Sequence, residues 1–120
     1  MNQIYLLKFT YGIDFFDYSV NNNPPHNIGD FRSFNHCIIT MISETITTGL
    51  THYYNNGIWM NKNQYNFNIE ISIDKSDKER VYQTIKNIIC ENIKKDMNGL
   101  INQIQVFGHD IDTYHFCVNT

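Results

Sequence analysis

The residues best equipped for chemistry lie near the C-terminus. Gly108-His109-Asp110-Ile111-Asp112 is followed by His115 and Cys117. Imidazole, carboxylate and thiolate are the ligands a transition metal takes, and a histidine beside a carboxylate is how a general base is built. Alternation along a strand from Thr113 to Val118 places His115 and Cys117 on one face and Tyr114, Phe116 and Val118 on the other. The spacing matches no metal motif. His115 and Cys117 also fail as a base–nucleophile pair, because side chains two apart on a strand point the same way but stand apart. A polar turn and an edge strand account for the same residues.

A second polar set lies on the strand Tyr65–Ile73. Asn66, Asn68, Glu70 and Ser72 alternate with Tyr65, Phe67, Ile69, Ile71 and Ile73, so the strand has one covered face and one solvated face. Together with His109, Asp110, Asp112 and His115, the residues Asn66, Asn68 and Glu70 are the candidate contacts to a nucleotide or a similar polar metabolite. No GxSxG, HExxH, paired-cysteine motif or Gly-rich phosphate loop is present. These absences name no catalytic residue, metal site or cofactor and weigh against an enzyme.

Aromatic residues form a third set. Tyr53, Tyr54 and Trp59 flank Asn56-Gly57, while Phe31 and His26 lie at or beside the proline-containing segment Asn21–Gly29. Aromatics are enriched where proteins grip one another, and they also fill cores. As a contact surface these five residues would meet a cognate or host protein.

Composition bounds the partners. The chain has 120 residues, a net charge of −3 and a sequence pI of about 5.9, with 42% hydrophobic and 18% charged residues. That length gives one domain with one core. Arg32 and Arg80 are the only arginines, and Lys94-Lys95 runs straight into Asp96, so the basic cluster that neutralises phosphates is missing and nucleic acid is not an expected partner. Cys37, Cys90 and Cys117 are an odd number without CxxC spacing, which reads as reduced thiols in a cytoplasmic protein. No apolar run approaches the roughly 20 residues that span a bilayer, and no membrane association is expected. The chain contains no alanine and is rich in Asn, Ile, Lys and Tyr. All four are specified by AT-rich codons, which points to an AT-rich genome such as those of phages, other viruses and several bacterial lineages, and suggests a virus or mobile element. On these grounds the chain reads as a small interaction protein, an inhibitor, immunity or anti-defence factor, with the ligand-binding reading as its alternative.

The elements that must hold these residues follow from periodicity. Ile4–Phe9 is apolar on both sides and reads as an interior strand; Tyr11-Gly12-Ile13-Asp14 then reads as a turn into a strand over Phe15–Val20. After the Pro24-Pro25 loop a helix begins at Asp30 or Ser33 and ends near Thr48, with Phe34, Cys37, Ile38, Met41, Ile42 and Ile46 on its buried face. Asn56-Gly57 is a strong hairpin-turn signal, although residues 49–60 also continue the helical period. Ser76 with Glu79 fits a capping box for a helix whose Val81, Tyr82, Ile85, Ile88, Ile89 and Ile93 face inward, and Gly99 supplies its stop. Ile101–Phe107 and Thr113–Val118 close the chain as strands.

This order predicts an α+β fold. It is the ferredoxin-like βαββαβ sequence of elements with extra hairpins, two helices on one face of a mostly antiparallel sheet. Tyr65–Ile73 is expected beside Ile101–Phe107 as a βαβ pair. Edge strands able to pair with a second copy would give a homodimer.

Overall fold

A computed structural model describes residues 4–14, 27–59, 62–97, 99–101, 103–108 and 113–117. The expected strand Phe15–Val20, the proline loop up to residue 26 and the turn at residues 109–112 lie outside the described residues. So do the candidates His26, His109, Asp110 and Asp112.

Everything is built on β1, Ile4–Asp14. Tyr5, Leu7, Phe9, Tyr11 and Ile13 are each no more than 2% exposed, because an unbroken alternation gives one face of the strand five large side chains to bury. Such a strand belongs in the interior of a sheet, and β1 has hydrogen-bonded neighbours on both sides. The expected turn at Tyr11–Asp14 is therefore corrected. Tyr11 pairs with Phe67 and Ile104, and Gly12 with Asn66; burial of Tyr11 and Ile13 outweighs the turn preference of the glycine between them.

The remaining elements are α1 (Asn27–Thr45), β2 (Leu50–Trp59), β3 (Lys62–Asp74), a 3-10 turn (Lys75–Asp77), α2 (Lys78–Asp96), β4 (Gln103–Gly108) and β5 (Thr113–Cys117). The sheet order is β2-β3-β1-β4-β5, with every neighbouring pair antiparallel. This is the ferredoxin-like arrangement with β5 added at one edge. The pairing expected between Tyr65–Ile73 and Ile101–Phe107 is corrected by the same order: β3 and β4 run parallel to each other, but β1 lies between them. The crossover through α2 spans one strand, the split form of the βαβ unit.

The turn of the β2–β3 hairpin is not at Asn56-Gly57. Asn56 pairs with Tyr65 and Gly57 with Gln64, and pairing runs on to Trp59 and Lys62. The gain from the four cross-strand pairs from Asn56 to Trp59 overrides a favourable turn dipeptide.

Both helices pack on the odd-numbered face of β1. Tyr11 meets Phe31 and Phe34 of α1 edge-on, and Phe9 stacks on Tyr82 of α2. α2 buries Val81, Ile85, Ile89 and Ile93, one residue per turn, with Tyr82 and Ile88 flanking that stripe. Its entry differs from the expected capping box. Asp74 accepts from the Ser76 amide at 3.0 Å and the Ser76 hydroxyl at 2.9 Å, so the carboxylate before the serine organises the turn. The helix stops at Asp96, where the Met97 amide donates to the Ile93 carbonyl, and Gly99 in the turn beyond takes φ +85°, the left-handed conformation glycine adopts without penalty.

α1 starts at Asn27, ahead of Asp30, and buries Phe31, Phe34, Asn35, Ile38 and Ile42. Cys37, expected on this face, is exposed; Asn35 is fully buried instead. Among the described residues no helix is long and apolar enough to cross a membrane.

Candidate functional site

With both helices on one face, the other face of the sheet carries no layer among the described residues. The register places Lys8, Thr10 and Gly12 of β1, Asn66, Asn68 and Glu70 of β3, Thr51, Tyr53 and Asn55 of β2, and Gln105 and Phe107 of β4 on that face. The three β3 candidates thus come together, and they acquire neighbours that sequence patterning did not single out as ligand contacts.

Asn68 is the anchor of this surface. Although it sits on the open face it is 1% exposed, covered by side chains from both adjacent strands. Its Oδ1 accepts from Thr10 Oγ1 at 2.9 Å, and its Nδ2 donates to Asn55 Oδ1 at 3.0 Å and to the Tyr53 carbonyl at 3.4 Å. Bonds on both amide atoms fix which way the group points.

Around it the side chains are more available. Glu70 is half-buried, lies between Lys8 and Thr51 in register, and makes no hydrogen bond or ion pair with another described residue. The Lys8 ammonium sits 5.6 Å from the centre of the Tyr53 ring, within cation–π range. Asn66 lies over backbone: a Cβ on Gly12 would overlap its Oδ1, and one on Gly57 would stand 2.9 Å from its Nδ2. Two glycines thus let the Asn66 amide lie low against the sheet. The surface offers a carboxylate, an ammonium, an aromatic ring and several amides on regular strands.

Of the C-terminal candidates, His109, Asp110 and Asp112 lie outside the described residues, and His115 stands apart from this group. His115 pairs with Gln105, three strand spacings from Asn68, roughly 14 Å across the sheet. Among the described residues no three His, Cys, Asp or Glu side chains converge to hold a metal.

The predicted aromatic rim is divided by the sheet. Tyr53 belongs to the open face, while Tyr54 belongs to the helix side, where its ring stacks on Tyr65 at 5.0 Å and 8°. Phe31 is fully buried, edge-on to Tyr11, Tyr54 and Tyr65, and presents no surface. Trp59 is the last residue of β2. Consecutive strand residues point to opposite faces, so Tyr53 and Tyr54 cannot act on one surface.

The Tyr54 side holds a polar network inside the core. Tyr11 Oη donates to Asn35 Oδ1 at 2.7 Å, and Asn35 Nδ2 donates to Tyr54 Oη at 3.4 Å. Burial first, and then the Tyr54 hydroxyl, raise the Tyr11 pKa well above its ordinary 10.0. Burial therefore favours the neutral phenol, the form that donates to Asn35. Because the folded value exceeds the unfolded one, the stability tied to this phenol is complete below pH 10.0 and declines above it, by up to ~1.4 kcal/mol per pH unit. Urea unfolding at neutral pH and above pH 10 is expected to show that decline, and to show a shallower one in Tyr11→Phe.

No family model and no curated protein matches the chain. A solved structure does. The chain superposes on a phage SAM lyase, described in its apo state, with a TM-score of 0.59 over 97% of this chain and 90% of that one, at 13% identity. At that identity the likeness shows a shared fold. The fold continues through nearly the whole of both chains, and the phage source of that protein fits the origin expected from the AT-rich composition.

Proposed function

We propose that this chain binds a metabolite of the S-adenosylmethionine class on the open face of its sheet, as a protein of viral or mobile-element origin. The observation that carries the reading is Glu70: a half-buried carboxylate without a described partner, set among Lys8, Tyr53 and the fixed Asn68 amide. Such a ligand has a sulfonium and an ammonium cation, a carboxylate and an adenine base. Glu70 meets a cation, and the Tyr53 ring supplies the π face that favours one. Lys8 meets the carboxylate, and the amide of Asn66 offers a base edge a donor and an acceptor together, while the buried Asn68 amide holds Thr10 and Asn55 in place beneath it. The likeness in fold to a SAM lyase supports this ligand class over other nucleosides.

Titration calorimetry with S-adenosylmethionine tests the reading, alongside chromatography of the same mixture to detect cleavage. Saturable binding is expected, weakened about tenfold to a hundredfold in Glu70→Gln, the usual worth of a charged contact. Absence of binding, or equal binding by Glu70→Gln, would overturn it.

A second reading, an inhibitor or anti-defence factor that grips another protein, is favoured by β2. Its ten residues form the outer strand of the sheet, carry no Lys, Arg, Asp or Glu and leave Ile58 77% exposed. Native edges are usually guarded by charge or proline, since an open strand pairs readily. Pull-down with Asn56→Pro as control separates the readings, because the proline blocks strand pairing and leaves Glu70 in place.

A further inference from the structure

On the helix side of the sheet, at the start of α1, Arg32 is exposed yet held in one orientation. Its Nε and Nη2 both donate to Tyr65 Oη, at 3.1 and 2.7 Å. Its guanidinium carbon stands 5.5 Å from the centre of the Tyr54 ring and 5.6 Å from that of Tyr65. The two rings are themselves stacked, and Phe31 packs edge-on against both, so the arginine rests on a rigid platform. With two donors tied to one hydroxyl and its plane resting on two rings, the guanidinium is already oriented before any ligand arrives.

The hydrogen-bond count shows what remains open. A guanidinium has five N–H donors. The edge formed by Nε and Nη2 faces Tyr65, leaving the donors of the Nη1–Nη2 edge without a partner among the described residues. No described carboxylate pairs with Arg32, whereas the other arginine, Arg80, lies 3.6 Å from Asp77. Asp30, the acidic residue of the first turn of α1, is two positions away, and side chains so spaced on a helix do not face each other. An arginine fixed on one edge and open on the other is a fork, and its geometry matches two oxygens of one anion.

We propose that Arg32, seated on Tyr54 and Tyr65, anchors a second site that takes an oxyanion, a phosphate or a carboxylate. Arg32 reaches the anion through its Nη1–Nη2 edge while Tyr65 holds the other edge. The site lies across the sheet from Glu70, so it stands or falls separately from the ligand site on the open face.

The test is NMR of the arginine Nε–H signals, titrated with inorganic phosphate and separately with acetate, against sodium chloride at matched ionic strength. A saturable shift of the Arg32 signal with either anion supports the site, and the anion that saturates first tells a tetrahedral from a planar ligand. For Arg32→Lys, which keeps the charge but loses the fork, shifts of neighbouring backbone amides should report at least about tenfold weaker binding. Arg32→Gln should abolish the response while thermal unfolding shows that the protein still folds. A linear drift equal to that in sodium chloride, or an undiminished amide response in Arg32→Gln, would overturn the proposal.

Discussion

Gly12→Ala is expected to destabilise the protein by at least ~2 kcal/mol, against the usual sign of this substitution. In a strand interior, replacing glycine by alanine ordinarily gains about 0.5–1 kcal/mol, because alanine has less backbone freedom to lose. At Gly12 sterics oppose that gain. A Cβ there would overlap Asn66 Oδ1, stand 2.5 Å from the Tyr65 carbonyl oxygen and lie 3.1 Å from the Asn66 Cα. Two of these three neighbours are backbone in a paired strand, so no rotamer change removes them. Urea unfolding of Gly12→Ala and of Gly12→Ala with Asn66→Gly separates the terms. The double variant should recover only part of the loss, since the contact with the carbonyl persists. Full recovery would mean that Asn66 alone requires the glycine.

Asn35→Leu should cost about 2–3 kcal/mol, since it leaves the Tyr11 hydroxyl buried without an acceptor. Asn35 is fully buried, and its amide joins Tyr11 to Tyr54 between helix and sheet. Tyr11→Phe alone removes the donor and costs less, because Asn35 keeps Tyr54 as a partner. Combining the two changes should cost clearly less than their sum: removing both members of a buried pair avoids the orphaned group that each single change leaves. Additive losses in the double-mutant cycle would show that the Tyr11–Asn35 bond contributes nothing of its own.

Much of this architecture is readable in the residues, where one periodicity is unopposed. β3 alternates without a fault from Tyr65 to Ile73, and the stripe from Val81 to Ile93 repeats at helical steps; both elements form as the pattern predicts. The ferredoxin-like order follows from placing them in sequence. Misreadings occur where a local signal and a long-range contact disagree. Gly12 and Asn56-Gly57 are turn signals taken alone, yet both glycines lie in strands, where Asn66 of β3 runs over them. Ser76 looks like the cap of α2 until the Asp74 carboxylate takes its amide. Cys37 fits the apolar stripe of α1 as well as any residue. Asn35 is buried because a tyrosine hydroxyl from a strand far away in sequence needs an acceptor.

The candidate site divides along the same line. Asn66, Asn68 and Glu70 are visible as the polar half of an alternation. Lys8, Thr10 and Asn55 complete the surface through strand register, and register is set by pairings that one strand does not contain. Tyr53 is legible as an aromatic of interest, but its separation from Tyr54 by the thickness of the sheet appears only once β2 is known to be a strand. His115, from the most reactive-looking segment, lies a full three strands from Asn68.

The central claim is that the open face of the sheet is a binding surface for an S-adenosylmethionine-class ligand. Backbone amide shifts of the labelled protein, recorded on addition of S-adenosylmethionine, test it most directly. The expected result is saturable shifts concentrated at Lys8, Thr10, Tyr53, Asn66, Asn68 and Glu70 and lost in Glu70→Gln. No shifts, or shifts confined to the helices, would contradict it.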